Sequence, residues 1–406
     1  MALMVPINKI LCFGIGLALA FPLFFTANLS VFQGGADSYE FSVPLSFFLV
    51  AALFGMGVGK FCKTLLSLTP LLFTFWVFGV AVLAVIVAGA RDVSLLALYL
   101  VPAMAGFFLP WCIELNSQDQ LNEILRGFAV SIAIAAGLHL LSSFVSFGVL
   151  GAFAVRGEDS IFGLFSIYQK FIYYSTLLAV GAFLLISLFE GYVKWVAWVI
   201  TVVDILLCGA REAAILLLFL MIGRGFFRRK GLFPKLYYAL FFAVLLPALL
   251  FLLLYMIGDN VSDFVFLAKI SDVVSASSTS ELTGGRSDVI RNVMGAFDIG
   301  PFFLFVGSGF ATDSGELGTP HNQYIEWFLR GGLVFLIGNI SILFLAVRKA
   351  FSSGEYAINI AGWVILGALL ISNNINTPFR APYSSVFVWV LVGCVCKLRM
   401  SKPRVF

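Results

Sequence analysis

The sequence predicts an all-α integral membrane protein of about twelve spanning helices, and three observations predict it. Hydrophobic residues make up 61% of the 406-residue chain and charged residues 11%, against about 25% charged in a soluble domain. The mean hydropathy is +1.05. Apolar runs near the length of a bilayer crossing recur from one end of the chain to the other, separated by polar breaks.

The runs are 10–29, 43–59, 69–89, 94–112, 127–149, 167–189, 194–209, 212–226, 234–257, 324–347, 357–373 and 383–397. The first follows Lys9 and has no small-x-small cleavage site after it, so it reads as a retained helix rather than a signal peptide. The second ends at Lys60 and Lys63, and the third and fourth flank Arg91 and Asp92. The seventh and eighth are divided by Arg211, and the eighth, a short one, runs into Arg228, Arg229 and Lys230. Arg348 and Lys349 close the tenth, and Lys397 and Arg399 the twelfth.

With the N-terminus inside, these basic ends fall together on the cytoplasmic side, and Arg91, Asp92, Arg156, Glu158, Asp159, Arg211, Glu212 and Arg380 fall on the other. That is the positive-inside bias, and it puts both termini in the cytoplasm. The net charge of +4 follows from this topology and does not point to a nucleic-acid partner. Neither internal repeats nor a linker divides the chain, so residues 1–406 read as a single polytopic domain. The six cysteines lack the spacing of a disulfide framework or a zinc site.

Between the ninth and tenth runs lies a long outer loop, 258–323, which carries eight acids between 258 and 320. Within it, Gly284-Gly285-Arg286-Ser287-Asp288 precedes Val289, Ile290, Val293, Met294 and Phe297 at helical spacing, so Ser287 or Asp288 starts a short interfacial helix. Gly307-Ser308-Gly309-Phe310 then supplies a turn. Ordered loops of this length usually carry function.

The loop ends at His321, one of two histidines in the chain. Thr319 and Pro320 read as N-cap and first helical residue, which would place His321 in the first helical turn, where the dipole keeps the imidazole neutral and able to accept a proton. Outer-face arginines are a second constellation: Arg156, Arg211, Arg286 and Arg380, with Arg291 in reserve and Lys170 as a further cation. They run against the topological bias and suit a lipid diphosphate, although each taken singly also suits headgroup snorkelling or pairing with a nearby acid. His139, inside the fifth run, has no carboxylate at helical spacing and reads as a satisfied polar contact. Glu326 and Arg330, four apart, are placed to pair and hold the helix end.

Residues 284–335 carry a resemblance. The chain resembles the bacterial O-antigen ligase and polymerase superfamily of integral membrane glycosyltransferases, the ligase branch in particular. Ligases of that family have a histidine followed by a glycine and then a small or β-branched residue, matched here by His321, Gly331 and Val334. They have an arginine shortly before a leucine at an outer helix end, where this chain has Arg211 with Ile215. Gly284-Gly285-Arg286 and Gly307-Ser308-Gly309 also match. Many members carry a Pro-Asn pair where this chain has Ser166 to Lys170.

The resemblance implies transfer of a glycan from undecaprenyl diphosphate to a sugar hydroxyl of lipid A-core, at the periplasmic face of the inner membrane. No nucleotide motif and no Asp-x-Asp pair stands at the outer face, so no cofactor, metal or nucleotide is expected. His321 is then the base, and Arg211, Arg156, Arg286, Lys170 and Arg380 the diphosphate contacts. A polymerase of the same superfamily would join repeat units on the same carrier. A lipid-glycan transporter would need paired ionisable residues near mid-membrane and internal repeats, and the sequence displays neither.

Overall fold

A computed structural model describes residues 4–20, 27–29, 41–43, 68–88, 93–155, 171–228, 291, 301–308, 310, 322–375, 378–380 and 382–400. The expected runs 43–59 and 234–257, and most of the loop 258–323, lie outside the described residues. Among the described residues the structure is helical apart from a two-stranded antiparallel ladder. Its strands β1 (Ala27–Leu29) and β2 (Phe41–Val43) pair Asn28 with Ser42.

The helices are α1 (Met4–Ala20), α2 (Leu68–Ala88), α3 (Val93–Cys112), α4 (Gln118–Val155), α5 (Phe171–Leu188), α6 (Val193–Leu207) and α7 (Arg211–Arg228). They are followed by α8 (Pro301–Val306), α9 (Gln323–Phe351), α10 (Tyr356–Gly367) and α11 (Pro382–Met400). A π turn, Ala368–Ser372, continues α10, and a 3₁₀ turn, Pro378–Arg380, precedes α11. Three helices among the described residues are long and apolar enough to cross a membrane: Leu68–Ile86, Gln118–Val149 and Gln323–Phe351. Five shorter apolar helices accompany them.

The surface of α2 has the polarity expected in lipid. Phe75, Phe78, Val82 and Ile86 are exposed, whereas Phe73, Val77, Val80 and Ala84 are buried. Both faces are apolar, so the helix has no side suited to water.

The chain forms two compact units, Met1–Gly127 with Arg286–Phe406, and Phe128–Gly285. In the first, α3 and α11 pack at very close range because each offers a glycine. A Cβ on Gly106 would lie 2.7 Å from the Val386 carbonyl, and one on Gly393 would overlap the Phe107 backbone. Small residues of this kind let apolar helices gain contact where no hydrophobic effect draws them together. Lys397 Nζ donates to the Pro110 carbonyl at 2.9 Å and so meets a carbonyl near the end of α3. In the second unit, α5 packs on α6 and α7. Gly181 of α5 is seated against Ile132 of α4, and Arg224 Nη2 caps the Ile186 carbonyl at 3.0 Å.

The expected tenth span is not one unbroken helix. Gly332 has φ 62° and ψ −163° in the middle of α9, a conformation open essentially to glycine alone. Just before the break, the carbonyls of Leu329 and Arg330 accept from the backbone N–H groups of Ser308 (2.8 Å) and Phe310 (3.0 Å). The turn read from Gly307 to Phe310 therefore exists, and it is docked into the kink. Gly307, at φ 65°, packs so closely that an added Cβ would lie 2.6–2.8 Å from the Leu329–Gly332 backbone.

Gly332→Ala is expected to destabilise the chain by about 1–3 kcal/mol from backbone strain alone, and by more because its Cβ would strike the Phe305 backbone. Gly14→Ala, where an added Cβ meets nothing within 4 Å, should leave stability unchanged or slightly higher. Thermal melting of both purified variants in detergent checks this contrast; equal melting points would remove the break from the account.

Candidate functional site

The site closest to His321 is the N-terminus of α9. Asn322, not Thr319, is the N-cap: its backbone is extended (φ −143°, ψ 118°), and its side chain accepts from Tyr324 N at 3.0 Å and Ile325 N at 3.1 Å. The helix starts at Gln323, so His321 precedes the N-cap and does not occupy the first turn. Asn outcompetes the Thr-Pro start because its carbonyl oxygen satisfies two orphan N–H groups at once. The helix-dipole argument for a neutral His321 therefore does not carry over from its assumed position.

Three further contacts fasten this helix end. Asn322 Nδ2 donates to the Asn374 carbonyl at 3.2 Å, and Phe379 N donates to Gln323 Oε1 at 2.9 Å. The Tyr324 hydroxyl donates to the carbonyl of Leu369 within the π turn, where a widened turn disrupts the regular carbonyl pairing. Asn322 is thus held by the helical turn Asn373–Ile375, and Gln323 by the 3₁₀ turn.

One turn further in, Glu326 and Arg330 form the expected i,i+4 pair, Nε to Oε1 at 3.2 Å. Both are buried, at 1% and 5% exposure, which makes the pair part of the interior and not a surface brace. Tyr99 of α3 adds a hydroxyl donor to Glu326 Oε1 at 3.3 Å. Beneath lies a small cavity with room for about one water molecule, lined by Trp76, Tyr99, Trp327, Asn339, Phe379 and Ser385 among others. Trp327 Nε1, Ser385 Oγ and Gln323 Nε2 are buried polar atoms without a hydrogen-bond partner among the described residues. The amide, indole and hydroxyl atoms left over are suited to a single water of that size.

Of the sequence-derived site residues, His321, Arg156, Lys170 and Arg286 lie outside the described residues. Arg211 is the first residue of α7, part-exposed, beside the buried Glu212. It follows a tight turn in which Gly209 has φ 61° and its N–H bonds the Leu206 carbonyl at 3.0 Å. Arg380 ends the 3₁₀ turn whose Phe379 N–H binds Gln323, which brings its backbone to the α9 terminus. Arg291 is helical and exposed. Arg211 belongs to the Phe128–Gly285 unit, and Arg291 and Arg380 to the other.

His139 departs from expectation in its partner. Its Nδ1 lies 2.6 Å from Asp204 Oδ1, and Tyr174 OH donates to Asp204 Oδ2 at 2.7 Å. The paired ionisable residues that the sequence did not display therefore exist, joined across 65 positions. Spacing along one helix could not reveal a partner on another. One signal was present in the sequence: Asp204 is an acid inside the run 194–209, and a carboxylate among apolar residues always needs a partner. Tyr99, Gln323 and Tyr174 gave no comparable signal.

Comparison with protein-family models returns no match for this chain, and comparison with curated proteins returns none either.

Glu326→Ala is expected to cost about 3–5 kcal/mol, since it leaves a buried guanidinium without its carboxylate. Replacing both, as Glu326→Leu with Arg330→Met, should recover a large part of that loss. Chemical denaturation of the two variants measures the coupling; a double variant as unstable as the sum of the single ones would show that the residues do not act as a pair.

Proposed function

We propose that this chain is a multi-pass membrane glycosyltransferase of the O-antigen ligase type. It transfers a glycan from undecaprenyl diphosphate to a sugar hydroxyl of lipid A-core, at the periplasmic face of the inner membrane. The observation that carries the reading is the resemblance over 284–335, centred on His321. Two structural findings support it: the helix after His321 is anchored on three sides, and the Gly307–Phe310 turn is docked into the same helix. About twelve spans with both termini cytoplasmic complete the reading.

In this mechanism His321 removes the proton from the acceptor hydroxyl as that oxygen attacks the anomeric carbon. The C–O bond to the diphosphate breaks, undecaprenyl diphosphate departs with the electron pair, and the configuration inverts. General-base catalysis of this kind contributes roughly 10²–10⁴ in rate. Arg211, Arg156, Arg286, Lys170 and Arg380 stabilise the charge on the leaving group, an effect of several kcal/mol when the site is partly dehydrated. The activated donor supplies the energy, so neither nucleotide nor divalent metal is required by the chemistry.

A non-enzymatic lipid-glycan transporter is the second reading, and the buried His139–Asp204 pair is the observation that favours it. The deciding experiment is transfer by purified protein from undecaprenyl-diphosphate glycan to lipid A-core, without ATP and in excess EDTA. Wild type should transfer, and His321→Ala should not, at unchanged protein level and membrane insertion. Transfer at the wild-type rate by His321→Ala would eliminate the base assignment, and activity lost to EDTA and restored by Mg²⁺ the metal-free mechanism. Deletion of the gene separates ligase from polymerase: polymer held on the carrier above bare core marks a ligase, and core bearing one repeat unit marks a polymerase.

Arg211 should weaken donor use more than acceptor use when replaced. Arg211→Lys is expected to rescue Arg211→Ala only in part, because lysine keeps the charge but loses the bidentate fork. Separate titration of donor and acceptor measures this, and full activity in both variants would reduce Arg211 to a topological anchor.

A further inference from the structure

Inside the Phe128–Gly285 unit, three side chains with metal-ligating atoms converge that the transfer chemistry does not use. His139 comes from α4, Asp204 from the last turn of α6, and Cys208 from the C-cap of the same helix. All three are buried, and one ligand atom from each lies within 4.8 Å of the others. Cys208 is a thiol, in no disulfide. We propose that His139, Asp204 and Cys208 form a binding site for a transition-metal dication of the zinc class.

The donor set argues for that class. An imidazole nitrogen, a carboxylate oxygen and a sulfur suit zinc and its neighbours, whereas calcium and magnesium take oxygen ligands. The geometry is close to closure as it stands. Donor atoms in a tetrahedral zinc site stand roughly 3.3–3.8 Å apart, so side-chain shifts of about an ångström suffice: His139 Nδ1 and Asp204 Oδ1, at 2.6 Å, give up their hydrogen bond and separate, and the thiol closes in. Asp204 and Cys208 are one helical turn apart and share a face. That turn is held closed, because Cys208 retains helical angles (φ −62°, ψ −15°) and its N–H bonds the Asp204 carbonyl at 2.9 Å.

The surroundings are also those of a ligand shell. Tyr174 OH engages Asp204 Oδ2 at 2.7 Å and leaves Oδ1 facing His139. Outer hydrogen bonds of this kind orient ligating carboxylates in metal sites. The Tyr174 ring stands edge-on to His139, 5.7 Å away at 89°, which restricts the imidazole's rotation. Among the described residues the group has these three members.

Burial and the presence of Cys208 decide between this reading and a proton relay. On binding, Cys208 releases its thiol proton to solvent, and a neutral His139 carries its proton on Nε2 so that Nδ1 offers its lone pair. The dication then meets one thiolate, one carboxylate and a neutral ring, for a net charge of zero. An apolar bundle tolerates that sum, as it does the equally neutral metal-free pair of His139 with Asp204. A relay needs a path for water, yet the side chains of His139 and Asp204 are 7% and 0% exposed. A relay also assigns no role to Cys208.

The test uses the full chain, purified in detergent with any affinity tag removed, incubated with Zn²⁺ and desalted. Elemental analysis should find about one zinc per chain, and Co²⁺ in its place should give a thiolate-to-cobalt charge-transfer band. Cys208→Ala should lose the band and most of the metal, while Cys394→Ala, another buried thiol, should keep both. Wild-type protein that retains no zinc and shows no thiolate band with cobalt would overturn the site without recourse to any variant. Zinc content equal in Cys208→Ala and wild type would do so as well.

Discussion

A backbone that leaves the helical path inside an apolar phase must find hydrogen-bond partners there, and α9 is built around that constraint. At Gly332 the chain takes a φ of 62°, and the nearby Leu329 and Arg330 carbonyls receive the amides of Ser308 and Phe310. An unsatisfied amide or carbonyl in such surroundings costs several kcal/mol. The turn at Gly307–Phe310 is therefore a structural partner of the helix. Because the turn and the kink satisfy each other, the segment entering α9 from the loop is tied to the helix at two places. One is the break, and the other is the Asn322 cap.

Two of the buried carboxylates among the described residues repeat one solution. Glu326 receives Arg330 and the Tyr99 hydroxyl; Asp204 receives His139 and the Tyr174 hydroxyl. In each case the basic group offsets the charge, and a tyrosine from another helix supplies a further donor. Desolvating a carboxylate is costly enough that both are needed, and the phenol brings its hydroxyl on a large apolar ring that packs well among helices. The helices that share these networks are thereby fixed in register. Elsewhere, glycines at 106 and 393 let α3 and α11 approach until backbones touch, and Gly127 does the same for α4 and α1.

These features bear differently on the proposed reaction. The α9 terminus is fastened by the contacts of Asn322, Gln323 and Tyr324, and under the proposed mechanism that end of the helix positions the general base for its hydroxyl. The Asp204 cluster sits in the unit that also contains Arg211, on the helix that the turn at Gly209 connects to it. Its burial makes it a natural anchor for the α6–α7 hairpin, whether the charge is balanced by a proton or by a metal ion.

Composition and hydropathy by themselves determined that the chain is helical and suited to a membrane, because an 11% charged chain has too little polar surface to face water. They also located most of the described helices to within a few residues, since a run of apolar residues bounded by charges leaves little choice of where a helix lies; the first run, 10–29, is the exception, because its helix ends at Ala20 and Ala27–Leu29 pairs as a strand with Phe41–Val43. The i,i+4 pairing of Glu326 with Arg330 was legible for the same reason: it is local. The start of α9 was not read correctly, because Thr-Pro and Asn are both competent helix starts and only the contacts of Asn322 and Gln323 with Asn374 and Phe379 choose between them. The break at Gly332 was hidden inside an apolar run, where a glycine looks the same whether it packs or bends. Tertiary structure alone decided that Tyr99 meets Glu326 and that His139 meets Asp204 and Cys208. Contacts between helices depend on rotation and depth, and neither is written in the spacing along one chain.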